Sequence, residues 1–493
     1  MLKTASWIRQ LKLFLILACL LIAPIVAKGA PWLNSTNSQL HYDLVTLTEW
    51  GYIDAAINTF PLPWQGIKEQ INSLNTNELP VSAAIAAHRL KKHLHQQSSN
   101  KASTLKLYLA TDNNRFSHFS TPQHSKTQLN FSQEFNSGPW SIQLSANKES
   151  NNKHHFDQSF VSYTLDNWQL RIGAINQWWG PAQSSSLILS NNARPIPAIA
   201  ISRSQAVTSK SAWLSWLGPW FFTAQLGQLE QHRKIENTKL WLSRFSFKPT
   251  KNLEIGASWT AMWGGQGQGN SLRDFFNVVT FKAECVNGAA HCDDALHTKK
   301  GNHLAGFDLK YSILLFEQTI NLYAQRIGED AIDYYRVTDQ ASLFGISTYL
   351  GSAKLYIETS DTNVACGNDH STTKNCYYEH GTYQSGYRFH QRAIGSTFDS
   401  DANMFTAGLN KHYIDGSVIE VFFRKLQLNP DKTKASPVVN GSTEKLLQLG
   451  GFYQTTLGNW QLKLGGTIEK SKINQQQSHI NSMFYSEIQY LIE

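Results

Sequence analysis

The side chains best suited to chemistry are concentrated in two stretches. They read "INQWWGPAQSSSLILSNNARPIPAIAISRS" at residues 175–204 and "YYEHGTYQSGYRFHQRAIG" at residues 377–395. A ring can pack against the C–H face of a sugar while amides and guanidinium groups bond its hydroxyls, and arginine also grips carboxylates. We therefore predict a site for an acidic polysaccharide, formed by Trp178, Trp179, Asn191, Asn192, Arg194, Arg203, Tyr383, Tyr387, Arg388 and Arg392.

The same residues could instead have a purely structural role. Aromatic and arginine side chains also brace loops that fold inward, and Arg194 and Arg203 would then pair with acids such as Asp308 and Glu254. The sequence leaves both interpretations open at every one of these positions. The Arg-Pro-x-Pro at residues 194–197 indicates a stiff, extended segment, because each proline fixes its own φ and restrains the preceding residue.

No recognisable catalytic motif accompanies these stretches. The sequence contains no Gly-x-Ser-x-Gly, no His-Glu-x-x-His and no phosphate-binding glycine loop with its lysine and Ser/Thr. The run "WGGQGQGNS" at residues 263–271 is interpreted as a flexible loop at the end of a strand. We predict a protein that is not an enzyme and has no cofactor. An outer-membrane hydrolase remains a minor alternative.

The first 29 residues are typical of a cleaved signal peptide. Lys3, Arg9 and Lys12 precede an apolar run at residues 13–26, and small residues follow it. The run is shorter than the ~20 residues of a membrane-spanning helix, which disfavours a retained anchor. No later stretch is as apolar over such a length, so the mature chain is either soluble or crosses a membrane as a barrel.

Four cysteines follow the signal peptide: Cys285, Cys292, Cys366 and Cys376. An even number in an exported chain indicates disulfides. Of the three possible connectivities we favour the one with two local disulfides, Cys285 with Cys292 and Cys366 with Cys376. A zinc site made by the first pair and nearby histidines would have no standard spacing, so we predict no metal.

Residues 30–103 are predicted to form a small helical bundle. Leu40, Leu44 and Leu47 recur near helical spacing, and similar patterns follow Pro61 and Pro80.

Residues 104–493 are predicted to form a barrel. In "LEIGASWTAMW" at residues 253–263, apolar residues alternate with small or polar ones, as in a strand between lipid and lumen. Short turns alternate with long polar loops, which a bacterial outer-membrane barrel requires. The count gives about 18 strands, with both chain termini on the short-turn side. The long loops are predicted near residues 113–126, 177–210, 264–302, 327–340, 362–401 and 426–445.

Four short turns are followed immediately by tryptophan, at Trp140, Trp168, Trp220 and Trp460. In a barrel these rings would lie at one height and form part of the aromatic girdle at a membrane interface. The alternative is that they are ordinary core residues at turn edges.

The charge balance is mildly basic and is compatible with acidic partners. The formal net charge is +8 and the isoelectric point is about 9.0, which is far from the polybasic surface of a nucleic-acid-binding protein. We predict no nucleic-acid partner. Outer-membrane lipid, lipopolysaccharide and an acidic polysaccharide are all compatible with this charge.

Several stretches together resemble one protein family. "QWWGPAQSSSLILSNNARPIPAIAISRS" at residues 177–204 is similar to the signature of the Wzi family of capsule-assembly proteins. The similarity extends to "WTAMWGGQGQGNSLRDFF" at residues 259–276, "NLYAQRIGED" at residues 321–330 and "NCYYEHGTYQSGYRFHQRAIG" at residues 375–395. The N-terminal "PWLNSTNSQLHYDLVTLTEWGYID" and the "FPLPW" that follows it match more weakly.

The resemblance implies an outer-membrane barrel of 18 strands whose periplasmic end is closed by a helical bundle. It also implies extracellular loops over the mouth that bind capsular polysaccharide or another exopolysaccharide. We expect a monomeric barrel. A porin or substrate-specific channel is the alternative. One departure is Glu493, where outer-membrane barrels usually end on an aromatic residue.

Overall fold

The computed structural model describes residues 31–33, 38–96, 101–121, 125–150, 153–280, 301–332, 336–368, 371–374, 376–432, 438–439 and 441–492. The predicted signal peptide, Cys285, Cys292 and Glu493 lie outside these residues. Within these ranges, no helix combines the length and apolar character needed to cross a membrane.

Antiparallel strands form a closed barrel, which confirms the predicted fold class. The segments His154–His155 and Phe160–Leu165 both pair with Trp140–Glu149 and form one interrupted strand, so the described residues contain eighteen barrel strands. The last strand pairs with the first, with Ile492 opposite Ser103. The other strands are Lys101–Ala110, Thr127–Ser137, Trp168–Gly173, Ala198–Arg203, Trp220–Gln228, Lys239–Thr250, Leu253–Trp263, Gly301–Leu315, Gln318–Ile332, Arg336–Leu350, Ala353–Asp361, Ala402–His412, Val418–Leu428, Glu444–Leu457, Trp460–Ile473 and His479–Ile492.

The strands separate a polar lumen from an apolar outer wall. Along Leu253–Trp263, Glu254 and Ser258 are buried in the lumen, while the alternate residues Ile255 and Ala257 face outward. On the neighbouring strand the outward Phe307 and Leu309 are exposed. Because a contiguous apolar belt of this kind is stable only against hydrocarbon, the wall is suited to a bilayer.

The two ends of the barrel differ, as the alternation of short and long connections predicts. Tight turns such as those at residues 166–167, 251–252, 351–352 and 458–459 join strands at one end, here called the turn side. The first strand starts and the last strand ends on this side. The longer connections lie at the opposite end, the loop side.

Two predicted loops contain strand instead. Ala198–Arg203 is a barrel strand inside the predicted loop 177–210, so the loop side retains only residues 174–197 and residues 204–219 lie on the turn side. The predicted loop 327–340 is mostly the ends of two long paired strands. The short strand was missed because its Ala-Ile alternation follows two prolines closely, which hid the period of two.

The four tryptophans after turns each begin a barrel strand at the turn side, where the prediction places them. Trp168 and Trp460 are exposed on the outer wall. The ring centroid of Trp460 lies 4.5 Å from that of Tyr490 on the neighbouring strand. Contact of this ring of aromatics with a membrane interface remains a prediction.

The N-terminal residues form a small bundle with its own apolar core. Leu44, Ile71 and Leu90, one from each helix, are fully buried. A buried ion pair between Asp43 and Arg89 joins the first and last helices. The helices are α1 (Ser38–Glu49), α2 (Ile67–Ser73) and α3 (Val81–Gln96), with a 3-10 turn at Thr76–Glu78.

The bundle is fixed to the barrel wall by a buried charge cluster. Glu49, the last residue of α1, contacts Lys310 Nζ at 2.5 Å and Lys354 Nζ at 2.7 Å. Burial alone would raise the pKa of Glu49, but the two lysines lower it to about 2. The bundle therefore docks through a carboxylate that stays ionised at neutral pH.

Candidate functional site

Two loop-side segments fold over the mouth of the barrel and into its lumen. We call residues 174–197 the first lid loop and residues 376–401 the second lid loop. Trp179, Leu187, Tyr378 and Tyr387 from these loops share one buried cluster with wall residues such as Leu343. The lid is therefore a packed layer and not a pair of loose loops.

The first lid loop reaches far enough into the lumen to meet the N-terminal segment. Trp178–Trp179 pairs with Thr59–Phe60 in a short antiparallel ladder, and the N–H of Gly180 donates to the carbonyl of Asn58 at 2.9 Å. The indole N–H of Trp178 donates to the Ala182 carbonyl at 2.9 Å. The lid and the bundle thus join inside the barrel and fill it from both ends.

Polar side chains of the barrel wall hold residues 183–187 of the first lid loop. The carboxylate of Glu358 accepts the backbone N–H groups of Gln183 and Ser184, each at 2.8 Å. The amide oxygen of Gln325 accepts the N–H of Leu187 at 2.7 Å. Since these bonds use backbone groups that would otherwise be unsatisfied in the lumen, they determine where the loop can lie.

The tyrosines of the second lid loop fasten it to the first. The hydroxyls of Tyr378 and Tyr387 donate to the carbonyls of Leu187 and Ile188 at 2.5 Å and 2.9 Å. Tyr383 instead donates to the carbonyl of Gly264, outside the first lid loop, at 3.2 Å. Burial raises the pKa of all three tyrosines, so they remain neutral donors.

Arg388 is the centre of a buried ionic cluster. It grips Asp399 with Nε and Nη2, at 2.9 Å and 2.7 Å, and its Nη2 contacts Glu379 at 2.7 Å. Burial opposes its charge, but Asp399 and Glu379 raise the pKa of Arg388. Its charge is fully compensated inside the lid.

Arg392 and Asn192 join the two lid loops, while Asn191 bonds a segment outside them. Arg392 Nε and Nη2 donate to the carbonyl and the side-chain oxygen of Asn192, both at 2.7 Å. Burial lowers the pKa of Arg392 to about 10. The amide of Asn192 also donates to Ala393 O at 3.0 Å, and the amide of Asn191 to Phe119 O at 3.4 Å.

Arg194 pairs with an acid other than the two suggested by the sequence. Its guanidinium contacts Asp157 at 2.7 Å. Asp308 instead pairs with Arg244 at 2.5 Å, and Glu254 accepts backbone N–H groups of residues 57 and 58. The lumenal acids were already satisfied by the wall and by the N-terminal segment, which the sequence could not show.

Arg203 lies away from the lid. It ends the strand Ala198–Arg203 at the turn side, where Nη1 donates to the carbonyls of Val207 and Trp220 at 2.8 Å and 2.5 Å. Its guanidinium carbon lies 4.0 Å above the Trp220 ring. The alternative pairing of Arg203 with a lumenal acid is wrong, because residues 198–203 form a strand that carries it to the turn side.

Nine of the ten predicted binding residues therefore come together in the lid, and Arg203 does not. Most of the nine are buried and bonded internally. The side chain of Arg194, with 28% of its surface exposed, and the half-buried Arg392 keep some access to solvent.

A cleft on the outer rim of the loop side offers accessible polar groups that the sequence analysis missed. It lies between residues 228–239 and the start of the loop after Trp263. The N–H of Gln266 donates to the carbonyl of Glu236 at 2.8 Å, and the Asn270 side chain bonds both backbone groups of Gly265. The cleft is lined by Gln228, Glu236, Asn237, Lys239, Gly265, Gln266 and Asn270.

The signal for this cleft was the glycine run at residues 263–271. Gly265 has φ 102°, and a Cβ there would lie 2.6 Å from Ile235 Cγ2. The glycine is needed because the two loops approach closely, and the glutamine and asparagine beside it supply sugar-type donors and acceptors.

The described ranges contain a disulfide-bonded cysteine and no cluster of metal-binding side chains. Cys376 is disulfide-bonded. Nowhere in those ranges do three His, Cys, Asp or Glu side chains meet as metal ligands would.

An eighteen-stranded barrel with an apolar wall, filled by a bundle from one end and a lid from the other, defines a closed outer-membrane barrel. The comparison with family models identifies the particular family. The chain belongs to the capsule assembly protein Wzi family, whose model matches residues 96–483. The resemblance read from the sequence is confirmed.

Two of the known proteins that are similar to this chain come from Klebsiella pneumoniae and Escherichia coli. An uncharacterised 55.8 kDa protein of the cps region of Klebsiella pneumoniae is 27% identical over 345 residues, which cover 66% of this chain and 65% of that protein. The chain thus spans just under two thirds of that relative's length. The structure of Wzi from Escherichia coli, described as a carbohydrate-binding β-barrel of the outer membrane involved in group 1 capsule assembly, has a TM-score of 0.76 at 22% identity. The structural match covers 95% of this chain and 99% of the Escherichia coli protein in that structure.

Proposed function

We propose that this protein binds an acidic capsular polysaccharide or another exopolysaccharide at the cell surface and assists its attachment, without catalysing a reaction. The observation that carries the proposal is the ladder between Trp178–Trp179 and Thr59–Phe60. Because lid and bundle meet there, the lumen is occupied and the outer surface is left for binding. This arrangement argues against the porin alternative.

The rim cleft has the chemistry for such a ligand. Its amide side chains can donate to and accept from sugar hydroxyls, and Lys239 can contact a carboxylate. Glu236 also lines the cleft, so its charge would restrict how a ligand carboxylate could approach Lys239. The accessible cleft, more than the buried tryptophans, is where we place the ligand.

The predicted lid residues then act as support for the cleft. Arg233, in the loop that carries Glu236 and Asn237, donates to the carbonyls of Arg388 and Gly386 at 2.9 Å and 3.0 Å. The second lid loop thereby holds one wall of the cleft in position.

The orientation follows from the two unlike ends. In outer-membrane barrels short turns face the periplasm and long loops face outward. The bundle would then lie in the periplasm and the lid and cleft at the cell surface, in a monomeric barrel surrounded by lipid and lipopolysaccharide.

Binding of polysaccharide from the native cell to the purified protein tests this proposal. In the variant Gln228→Ala/Gln266→Ala we expect weaker retention, because each lost hydrogen bond contributes about 0.5–1.5 kcal/mol. The variant Gln384→Ala/Gln391→Ala, which removes two exposed amides of the lid outside the cleft, is the control. Wild-type retention by the first variant would remove the cleft from the site, and no binding by the wild-type protein would overturn the function.

A further inference from the structure

A short helix lies in the loop after Trp263, outside both the lid and the cleft. This helix, α4 (Leu272–Val279), starts with a capping box. The Ser271 hydroxyl accepts the N–H of Asp274 at 3.2 Å, and the Asp274 carboxylate accepts the N–H of Ser271 at 3.0 Å. The cap fixes the start of the helix immediately after the cleft residue Asn270.

The helix lies flat on the outside of the barrel. Ala261 and Trp263 occupy outward positions of their strand, yet they are 0% and 3% exposed. They are covered because Val278 packs on them and the ring of Phe275 lies 5.2 Å from that of Trp263. Phe307, outward on the neighbouring strand but beyond the helix, is 62% exposed.

A second face of α4, beside the packed one, is apolar and is left uncovered by the residues that the structure describes. Leu272 is 77% exposed and Phe276 is 59% exposed. They lie four residues apart and so share one face of the helix. The exposed Arg273 stands next to them.

We propose that α4 is an interfacial helix that inserts Leu272 and Phe276 into the acyl chains of the loop-side membrane leaflet. The occupant is lipid because this face continues the outer wall, which already needs hydrocarbon around it. Arg273 reaches the phosphate level beside it, as flexible cationic side chains do at such interfaces. The helix thereby holds the start of the loop that lines the cleft at the membrane surface. The inference does not depend on polysaccharide binding.

Nitroxide labels on single introduced cysteines can measure this insertion. We would label Leu272→Cys and Phe276→Cys in the full chain, reconstituted in vesicles of phosphatidylethanolamine and phosphatidylglycerol. Collision with oxygen, which partitions into lipid, is compared with collision with a water-soluble nickel complex. Phe344→Cys, outward on the wall, gives the lipid reference, and Gln266→Cys in the cleft gives the aqueous reference. Protein without an introduced cysteine gives the background.

The proposal expects both α4 labels to favour oxygen over nickel, as the Phe344→Cys label does. Labels at both positions that match the Gln266→Cys label would overturn it, and the apolar face would then be a surface for a protein partner. Circular dichroism on each variant confirms that the barrel has folded before the comparison is made.

Discussion

At the residue scale, single polar side chains aimed at backbone groups hold the lid. Glu358 accepts two lid N–H groups and also the hydroxyl of Tyr323 at 2.9 Å. Replacing one carboxylate oxygen with an amide group would turn a donor toward groups that are themselves donors. The lid should therefore loosen where it enters the lumen.

For Glu358→Gln we expect faster amide hydrogen exchange at Gln183 and Ser184, with local opening easier by roughly 1–3 kcal/mol. Glu317→Gln, at an exposed turn on the turn side, is the matched control. In this variant the amides of Gln183 and Ser184 should exchange as in the wild type. Unchanged protection in the Glu358 variant would show that the lid is held by packing alone.

The charge in the cleft allows a second prediction at this scale. Lys239→Gln should weaken binding of an acidic polysaccharide, but by at most about 1 kcal/mol, because an exposed ion pair contributes little. The loss should shrink as salt is added, since screening already removes the attraction. Lys234→Gln, an exposed lysine outside the cleft, should leave affinity unchanged. An equal loss in both variants would indicate a nonspecific effect of net charge.

The residue types of the lid could not reveal its role from the sequence. A tyrosine or arginine that binds a sugar looks the same as one that fastens a loop. The difference lies in partners far away in the chain, such as Leu187 for Tyr378. Burial of this kind is decided by tertiary contacts and leaves no local pattern.

At the element scale, the docking of the helical bundle depends on the cluster of Glu49, Lys310 and Lys354. For Glu49→Gln we expect a destabilisation of about 3–5 kcal/mol at pH 7, because two lysines would be left buried without a counter-charge. Urea unfolding followed by proteolysis of α1 would measure it.

The same cluster should make docking depend on acid. The pKa of Glu49 is lowered from 4.5 to about 2 in the folded protein, so the unfolded state binds more protons between these values. The stabilisation is complete above pH 4.5 and is lost as the pH falls through about 2. The stability gap between wild type and Glu49→Gln should therefore narrow below pH 4.5. A gap of constant size down to pH 2 would contradict this.

Elements with a clear period were predictable and the others were not. The alternation in Leu253–Trp263 gave both its strand and its outward face. Ala198–Arg203 was missed because prolines precede it, and α4 was missed because its eight residues lie in a loop. The ladder of Thr59–Phe60 with Trp178–Trp179 joins segments whose separation in sequence hides any pairing signal.

At the scale of the whole molecule, the barrel and the segments that fill its lumen differ in how far the sequence predicts them. The barrel follows from alternating strands and from connections that alternate in length, and the sequence contains both. The lumen is filled by the bundle and the lid, which meet inside it. Only the structure shows this meeting. With the lumen occupied, the proposed ligand has only the outer surface of the protein to bind.

The conductance of the purified wild-type protein in a planar lipid bilayer tests this account most directly. A lumen occupied by α1, by the segment around Asn58 and by the first lid loop should pass almost no current, in salt solutions with and without the polysaccharide. Negligible conductance is the result that the account predicts. A large and steady conductance from correctly folded protein would contradict it and would restore the channel as the better explanation.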